Sequence, residues 1–126
     1  MMALGRTWIA VLDDSRARFF VRELSGRLSE AAPTLHVAPR TEMNGQPETR
    51  HNEREKFILG IVATLDSACD GGACDRIMLV GPERMLSTLR KSSTDKIRAR
   101  LWREMAAEPA DSSEAELAER LAPHFR

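Results

Sequence analysis

Two stretches of this chain are apolar at almost every successive position: TWIAVL from Thr7 to Leu12 and RIMLVG from Arg76 to Gly81. A strand with one wet face alternates apolar and polar residues, whereas a run without alternation fits a strand covered on both faces. Between the two runs the period changes. Phe57, Ile61 and Leu65 stand four apart, with Ile58, Val62 and Cys69 beside them on the same face, which is the stripe of an amphipathic helix. A buried strand, a helix and a second buried strand make a crossover between parallel strands, and this places the chain in the α/β class.

The remaining elements attach to that unit. Asp13-Asp14-Ser15 supplies turn chemistry, and Arg16 to Leu24 is rich in β formers with basic residues at Arg16, Arg18 and Arg22, so one face is wet and a hairpin results. Ser25 to Pro33 contains Gly26 and forms the next turn; Thr34 to Ala38 (TLHVA) is a short third strand near an edge. Glu53 and Glu55 favour the N-terminus of the first helix through its dipole, and Gly71 stops it. PERMLSTLRK then starts a second helix with proline in its first turn. Ser93 to Arg98 adds one helical turn, and Ala99 to Ala106 a fifth strand. Ser113 to Glu116 has capping-box spacing, and Leu117, Leu121 and Phe125 stripe the last helix. The order is βββ-α-β-α-β-α. With right-handed crossovers the expected sheet order is 3-2-1-4-5, a five-stranded mixed sheet with helices on its faces, in a single domain over residues 1–126.

A chain of 126 residues suffices for one core, and 42% hydrophobic with 30% charged residues is ordinary for a soluble domain. The apolar runs fall far short of the roughly 20 residues of a membrane helix, and acidic residues follow the first run at once without a small-residue cleavage site. A cytoplasmic protein without membrane partners is the expectation. The formal net charge of +0 hides an uneven distribution. From Arg84 to Arg103 lie seven basic residues (Arg84, Arg90, Lys91, Lys96, Arg98, Arg100, Arg103) against Asp95 alone, and from Glu104 to Glu119 six acidic residues with no basic one. Either these are solvated faces that partly neutralise each other, or the basic region meets phosphates. Cys69 and Cys74 flank a Gly71-Gly72 turn; buried thiols are the default, since a lone cytosolic pair is usually reduced and makes a poor metal site.

Four segments taken together resemble the bacterial host attachment proteins, a family described as required for attachment to host cells: WIAVLDDSRARFFVREL, RHNEREKFILGIVATL, DRIMLVGPERMLSTLRK and ARLWREMAAEPADSSEAELAERLAPHF. The likeness covers nearly the whole chain apart from the middle loop and rests on motif order. Members of that family look like bacterial relatives of the middle domain of eukaryotic and archaeal peptide chain release factors and of Pelota. The resemblance therefore implies a five-stranded sheet of ribonuclease-H-like topology. In release factors the loop between the third strand and the first long helix carries a Gly-Gly-Gln tip that promotes hydrolysis of peptidyl-tRNA. PRTEMNGQPETRHNEREKF, from Pro39 to Phe57, occupies that place, and its Asn44-Gly45-Gln46 keeps the glycine and the glutamine. Asparagine, where the first glycine would be, tolerates positive φ better than most residues. Gly45 and Gln46 are thereby candidate catalytic residues, with an ordinary Asn-Gly turn as the alternative. Only four residues separate Gln46 from His51, so the long supporting helix of a release factor is expected to be mostly missing.

Other chemistry has few residues to work with. A two-metal nuclease on this topology would need converging carboxylates, for which Asp13 or Asp14, Glu53 or Glu55, and Asp75 are the candidates; turn and helix-dipole roles explain them more simply. His36, His51 and His124 are scattered, and no phosphate-loop motif occurs. Trp8 and Trp102 stack on bases only if exposed, and a strand tryptophan is more often core. No metal or small-molecule cofactor is implied. The expected function is a non-enzymatic RNA- or ribosome-associated module meeting ribosome or tRNA through Arg90, Lys91, Lys96, Arg98 and Arg100. The alternatives are a ribosome-rescue factor hydrolysing peptidyl-tRNA through the Asn44-Gly45-Gln46 loop and an indirect factor in attachment to host cells.

Overall fold

All six residues of the first apolar run are buried, and the cause is cover on both sides. The computed structural model describes residues 6–37, 47–72, 74–108 and 112–125, with side chains of the first helix from residue 52 onward. The elements are β1 (Thr7–Leu12), β2 (Arg16–Arg22), β3 (Leu28–His36), α1 (Pro47–Asp70), β4 (Arg76–Gly81), α2 (Glu83–Ser92), α3 (Asp95–Arg100), β5 (Leu101–Ala106) and α4 (Glu114–Leu121), followed by a 3-10 turn over Ala122–Phe125. They form one five-stranded sheet in the order β3-β2-β1-β4-β5, as the sequence implied. β1 and β2, and β2 and β3, pair antiparallel; β4 pairs parallel with both β1 and β5.

Strand alternation sorts the apolar residues into two cores. Trp8, Ala10 and Leu12 point with Ile77 and Leu79 to the side packed by Phe57, Ile61, Leu65, Leu86, Leu89 and Ile97 of α1, α2 and α3. Ile9, Val11, Met78 and Val80 point the other way, onto Leu117 and Leu121 of α4. Neither β1 nor β4 therefore has a wet face, which is why both read as unbroken apolar runs.

Several boundaries differ from the sequence expectation: β2 ends at Arg22 rather than Leu24, the last helix gives way to the 3-10 turn after Leu121, and β3, β5 and α1 start elsewhere than expected. β3 starts at Leu28 rather than Thr34 and runs through Pro33. It is an edge strand whose register on β2 shifts between Ala17 and Phe19 and again between Phe19 and Phe20, and an edge or bulge is where a residue without a backbone N–H is tolerated. β5 starts at Leu101, because α3 extends to Arg100 under a Thr94 cap that accepts from Ile97 N at 3.3 Å. The largest difference is α1, 24 residues long and beginning at Pro47. Its first ten residues, PETRHNEREK, carry no apolar stripe, so periodicity sees the helix only from Phe57. Proline at the first helical position loses no hydrogen bond.

Other local signals are realised in hydrogen bonds. The Asp13 carboxylate accepts from Ser15 N at 2.8 Å and Arg16 N at 2.7 Å, closing the β1–β2 turn. At the N-terminus of α4, Glu116 N donates to Ser113 Oγ at 3.1 Å and Ser113 N donates to Glu116 Oε1 at 3.0 Å, the reciprocal capping box.

Candidate functional site

β1 and β4 lie side by side, and the chain leaves their C-terminal ends in opposite directions, through the Asp13 turn to β2 and through Pro82 to α2. A point where connections diverge from the carboxyl ends of parallel strands leaves a crevice. Here the strands themselves are shut tight: a Cβ on Gly81 would sit 2.7 Å from the Leu12 carbonyl oxygen, so only glycine fits. The opening lies one layer up, between α1 and α2. It is a groove of about 560 Å³ lined by Asp14, Arg54, Ile58, Leu59, Arg84 and Met85 among others.

Its floor is apolar and its rim is charged. Leu59 is 64% exposed there, unusual for a leucine on a packed helix. Arg84 Nε donates to Asp14 Oδ1 at 3.1 Å and its terminal nitrogen reaches the second carboxylate oxygen, a bidentate pair. That hydrogen bonding, helped by the charges of Arg84 and Arg54, holds the Asp14 carboxyl below its usual range. Sequence reasoning missed Arg54, Leu59 and Arg84 as a group. They are far apart in the chain, and an exposed leucine looks like a core one until the helix is packed.

α1 links the groove to the Gln46 loop. Asn44, Gly45 and Gln46 lie outside the described residues, but Pro47 opens the helix directly after Gln46. The expectation that the supporting helix is mostly missing is thus corrected: seven residues, about 10 Å of helix, lead from Pro47 to Arg54 at the groove. The His51 side chain also lies outside the described residues.

The five basic residues expected to meet RNA lie on the end of α2 and on α3. Arg90 donates to Glu83 Oε1 at 2.8 Å and reaches Glu104 Oε1 at 3.0 Å. Lys96 lies 3.2 Å from Asp66 Oδ2 and 2.6 Å from Asp70 Oδ1, which places it at the C-terminal end of α1, roughly 28 Å along the axis from Pro47 to Asp66. Arg98 faces Asp95 at 3.8 Å and donates to the carbonyls of Lys91 and Arg90, closing the end of α2. Arg100 donates to the carbonyls of Cys74 and Lys96, each at 3.2 Å. Lys91 is exposed and has no ion pair among the described residues. The structure therefore brings these five residues together, with Lys96 at the far end of α1 from its start.

The remaining candidates do not converge. Asp13 closes its turn, Glu53 pairs with Lys56 at 3.7 Å, and Asp75 accepts from Arg6 N at 2.7 Å at the opposite end of β1. Among the described residues no group of three or more His, Cys, Asp or Glu side chains is arranged to hold a metal ion. Cys69 and Cys74 are free and buried, and burial pushes the Cys74 thiol up to about 12. Such a thiol is a poor nucleophile. His36 ends β3, His124 lies in the 3-10 turn, and Trp8 is core. No helix among the described residues is long and apolar enough to cross a membrane.

Known proteins place this geometry. Pelota of Archaeoglobus fulgidus superposes with a TM-score of 0.60 at 12% identity, over 94% of this chain and 32% of that one. The archaeal translation termination factor aRF1 gives 0.59 at 11% identity, over 95% of this chain and 39% of that one. The chain thus spans well under half of either protein, and at these identities the likeness is one of fold. No curated protein matches the sequence. The matches bear on the release-factor side of the resemblance drawn from the motifs, and not on the host-attachment side. Residues 22–121 match the family model described as bacterial archaeo-eukaryotic release factor family 12, and the chain belongs to that family.

Proposed function

We propose that this protein is a translation-associated binding module, non-enzymatic, which meets RNA or the ribosomal surface through Arg90, Lys91, Lys96, Arg98 and Arg100. Membership of a release-factor-like family supports a partner in translation. The observation that carries the choice of surface is that the Arg90, Lys96 and Arg98 side chains remain 45%, 46% and 52% exposed while helix carbonyls and carboxylates hold them on one edge. Exposed ion pairs contribute about 0–1 kcal/mol, so phosphate oxygens compete with the resident carboxylates at little cost. Co-sedimentation with ribosomes should fall with added salt and with Arg90→Glu and Lys91→Glu; absent or salt-independent association sinks the reading.

A second reading is favoured by one observation, the start of α1 directly after Gln46. A rigid helix behind the Asn44-Gly45-Gln46 loop gives it the support that a tip acting on peptidyl-tRNA needs. Peptide release from stalled ribosome complexes, compared between the wild type and Gln46→Ala, decides it: no release, or equal release by both, removes the idea. On either reading the protein works in the cytoplasm and any effect on attachment to host cells is indirect. Detection of the protein on the cell exterior would overturn that placement.

A further inference from the structure

On the α4 side, at the end of the sheet where β1 and β4 begin, guanidinium groups lie on aromatic rings instead of carboxylates. Arg76 Cζ is 3.7 Å from the centroid of Trp102, and Arg103 Cζ is 4.7 Å from the same ring. Arg22 Cζ is 4.2 Å from the centroid of Phe125, whose ring lies 5.1 Å from Trp102.

Strand register builds this stack. Thr7 pairs with Arg22 on one side and Arg76 on the other, so the two arginines flank it on one face, and Arg76 Nε donates to Thr7 Oγ1 at 2.7 Å. Trp102 and Arg103 are successive residues and in a regular strand would point to opposite faces. They do not. Ile77 stands opposite Leu101 and Met78 opposite Arg103, so Trp102 is an extra residue in β5, and the irregularity turns both side chains into one cluster. Bulges that re-aim a side chain are enriched beside functional sites.

The charge of this cluster is not cancelled. Arg22, Arg76 and Arg103 make no ion pair among the described residues. Glu114 and Glu119 share a groove with Arg22 and Arg27, so carboxylates approach the Arg22 end, and the Trp102–Arg103 end is the more positive. Arg103 is exposed and Trp102 partly so.

We propose that Trp102 and Arg103 form a stacking platform for an unpaired base of single-stranded RNA, with Arg76 and Arg22 as positioning residues that hold the rings and attract phosphates. An indole and a guanidinium plane accept any base face, and a duplex offers no free face to either. Arg76 is tied to Thr7, so the exposed Arg103 is the group that yields to an incoming base. The proposal rests on the reading that the chain binds RNA, but it uses the other face of the sheet.

The test is titration with a labelled oligouridylate of about 12 nucleotides, within the span of such sites, followed by anisotropy and by tryptophan emission. Trp8 is buried, so quenching reports Trp102. Arg103→Ala should weaken binding roughly 10-fold. Arg103→Lys, which keeps the charge and loses the plane, should fall between the two. Trp102→Phe should retain a ring and most of the affinity but abolish the quench. Circular dichroism checks that each variant folds. Unquenched emission at saturation, unchanged affinity in Arg103→Ala, or equal binding of duplex RNA overturns the platform. Arg90→Glu/Lys91→Glu should leave the quench intact. If ribosome association survives in the wild type while the oligonucleotide does not bind, the platform fails and the reading in translation stands. If Arg103→Ala then lowers co-sedimentation, the face contacts ribosomal protein and the base-stacking proposal is wrong.

Discussion

Two sets of cations sit on opposite sides of one sheet, and they are held by different partners. On the α1–α3 side Arg84, Arg90, Lys96 and Arg98 each face a carboxylate. On the α4 side Arg22, Arg76 and Arg103 lie over Phe125 and Trp102. A carboxylate neutralises a guanidinium, whereas a ring orients it and leaves its charge in place. Counting charges along the chain therefore finds where the basic residues are, but not where positive potential survives. The stretch from Arg84 to Arg103 looks the more basic in sequence, yet Asp14, Asp66 and Asp70 are brought to it from distant segments.

The comparison is tested most severely by removing the core beneath each set. Leu65 and Leu121 are both fully buried, one on each side. Leu65→Ala and Leu121→Ala should each cost about 2–5 kcal/mol in denaturant titration. They should differ in spectroscopy: Leu121 anchors the α4 that leads to Phe125, so only its replacement should shift Trp102 emission before global unfolding. Identical emission in the two variants would show that the ring stack does not depend on α4.

A smaller effect separates the cations themselves. Arg76→Ala removes a hydrogen bond to Thr7 and contacts with two rings, about 1–2 kcal/mol. Arg90→Ala removes half-exposed ion pairs, about 0–1 kcal/mol, and that deficit should shrink with salt. Equal costs with equal salt dependence would erase the distinction between the two sides.

Most of the fold was legible because its central strands announce themselves. Thr7–Leu12 and Arg76–Gly81 match the sequence reading residue for residue, since cover on both faces removes alternation from the pattern. Ser113 and Glu116 marked the last helix for an equally local reason, a cap made within four residues. Pro47–Asn52 was not legible as helix, because these residues carry no apolar period and the first helical signal was the pair of glutamates at Glu53 and Glu55. The sites were legible only as residue types. Arg90 and Lys96 stood out as basic, but their partners Glu104 and Asp66 are fixed by the packing of other elements. Trp102 and Arg103 could not be assigned to one face without the register shift between Ile77 and Met78, which no propensity encodes.

The smallest effect is the dependence on pH, and its sign follows from the same contrast. Hydrogen bonds from Arg84 lower the Asp14 carboxyl, and hydrogen bonds from Thr94 and Lys96 lower that of Asp66, both from an ordinary value of 3.8. A carboxylate whose folded pKa is depressed contributes stability above its unfolded pKa and loses it as pH falls through the folded one. The α1–α3 side should therefore weaken as pH drops below about 4, while Arg22, Arg76 and Arg103 form no ion pair among the described residues for protonation to break. The Glu116 carboxyl in the α4 capping box, lowered by Ser113, adds an acid-sensitive background to wild type and variants alike. Arg84→Ala isolates the difference. Compared with the wild type it should melt lower at about pH 6, and the gap should narrow as pH falls below about 4 towards the lowered Asp14 pKa. Arg76→Ala should carry the same melting deficit across that range. If the Arg84 deficit persists unchanged into acid, the Asp14 pair contributes nothing specific, and the two sets of cations are held alike after all.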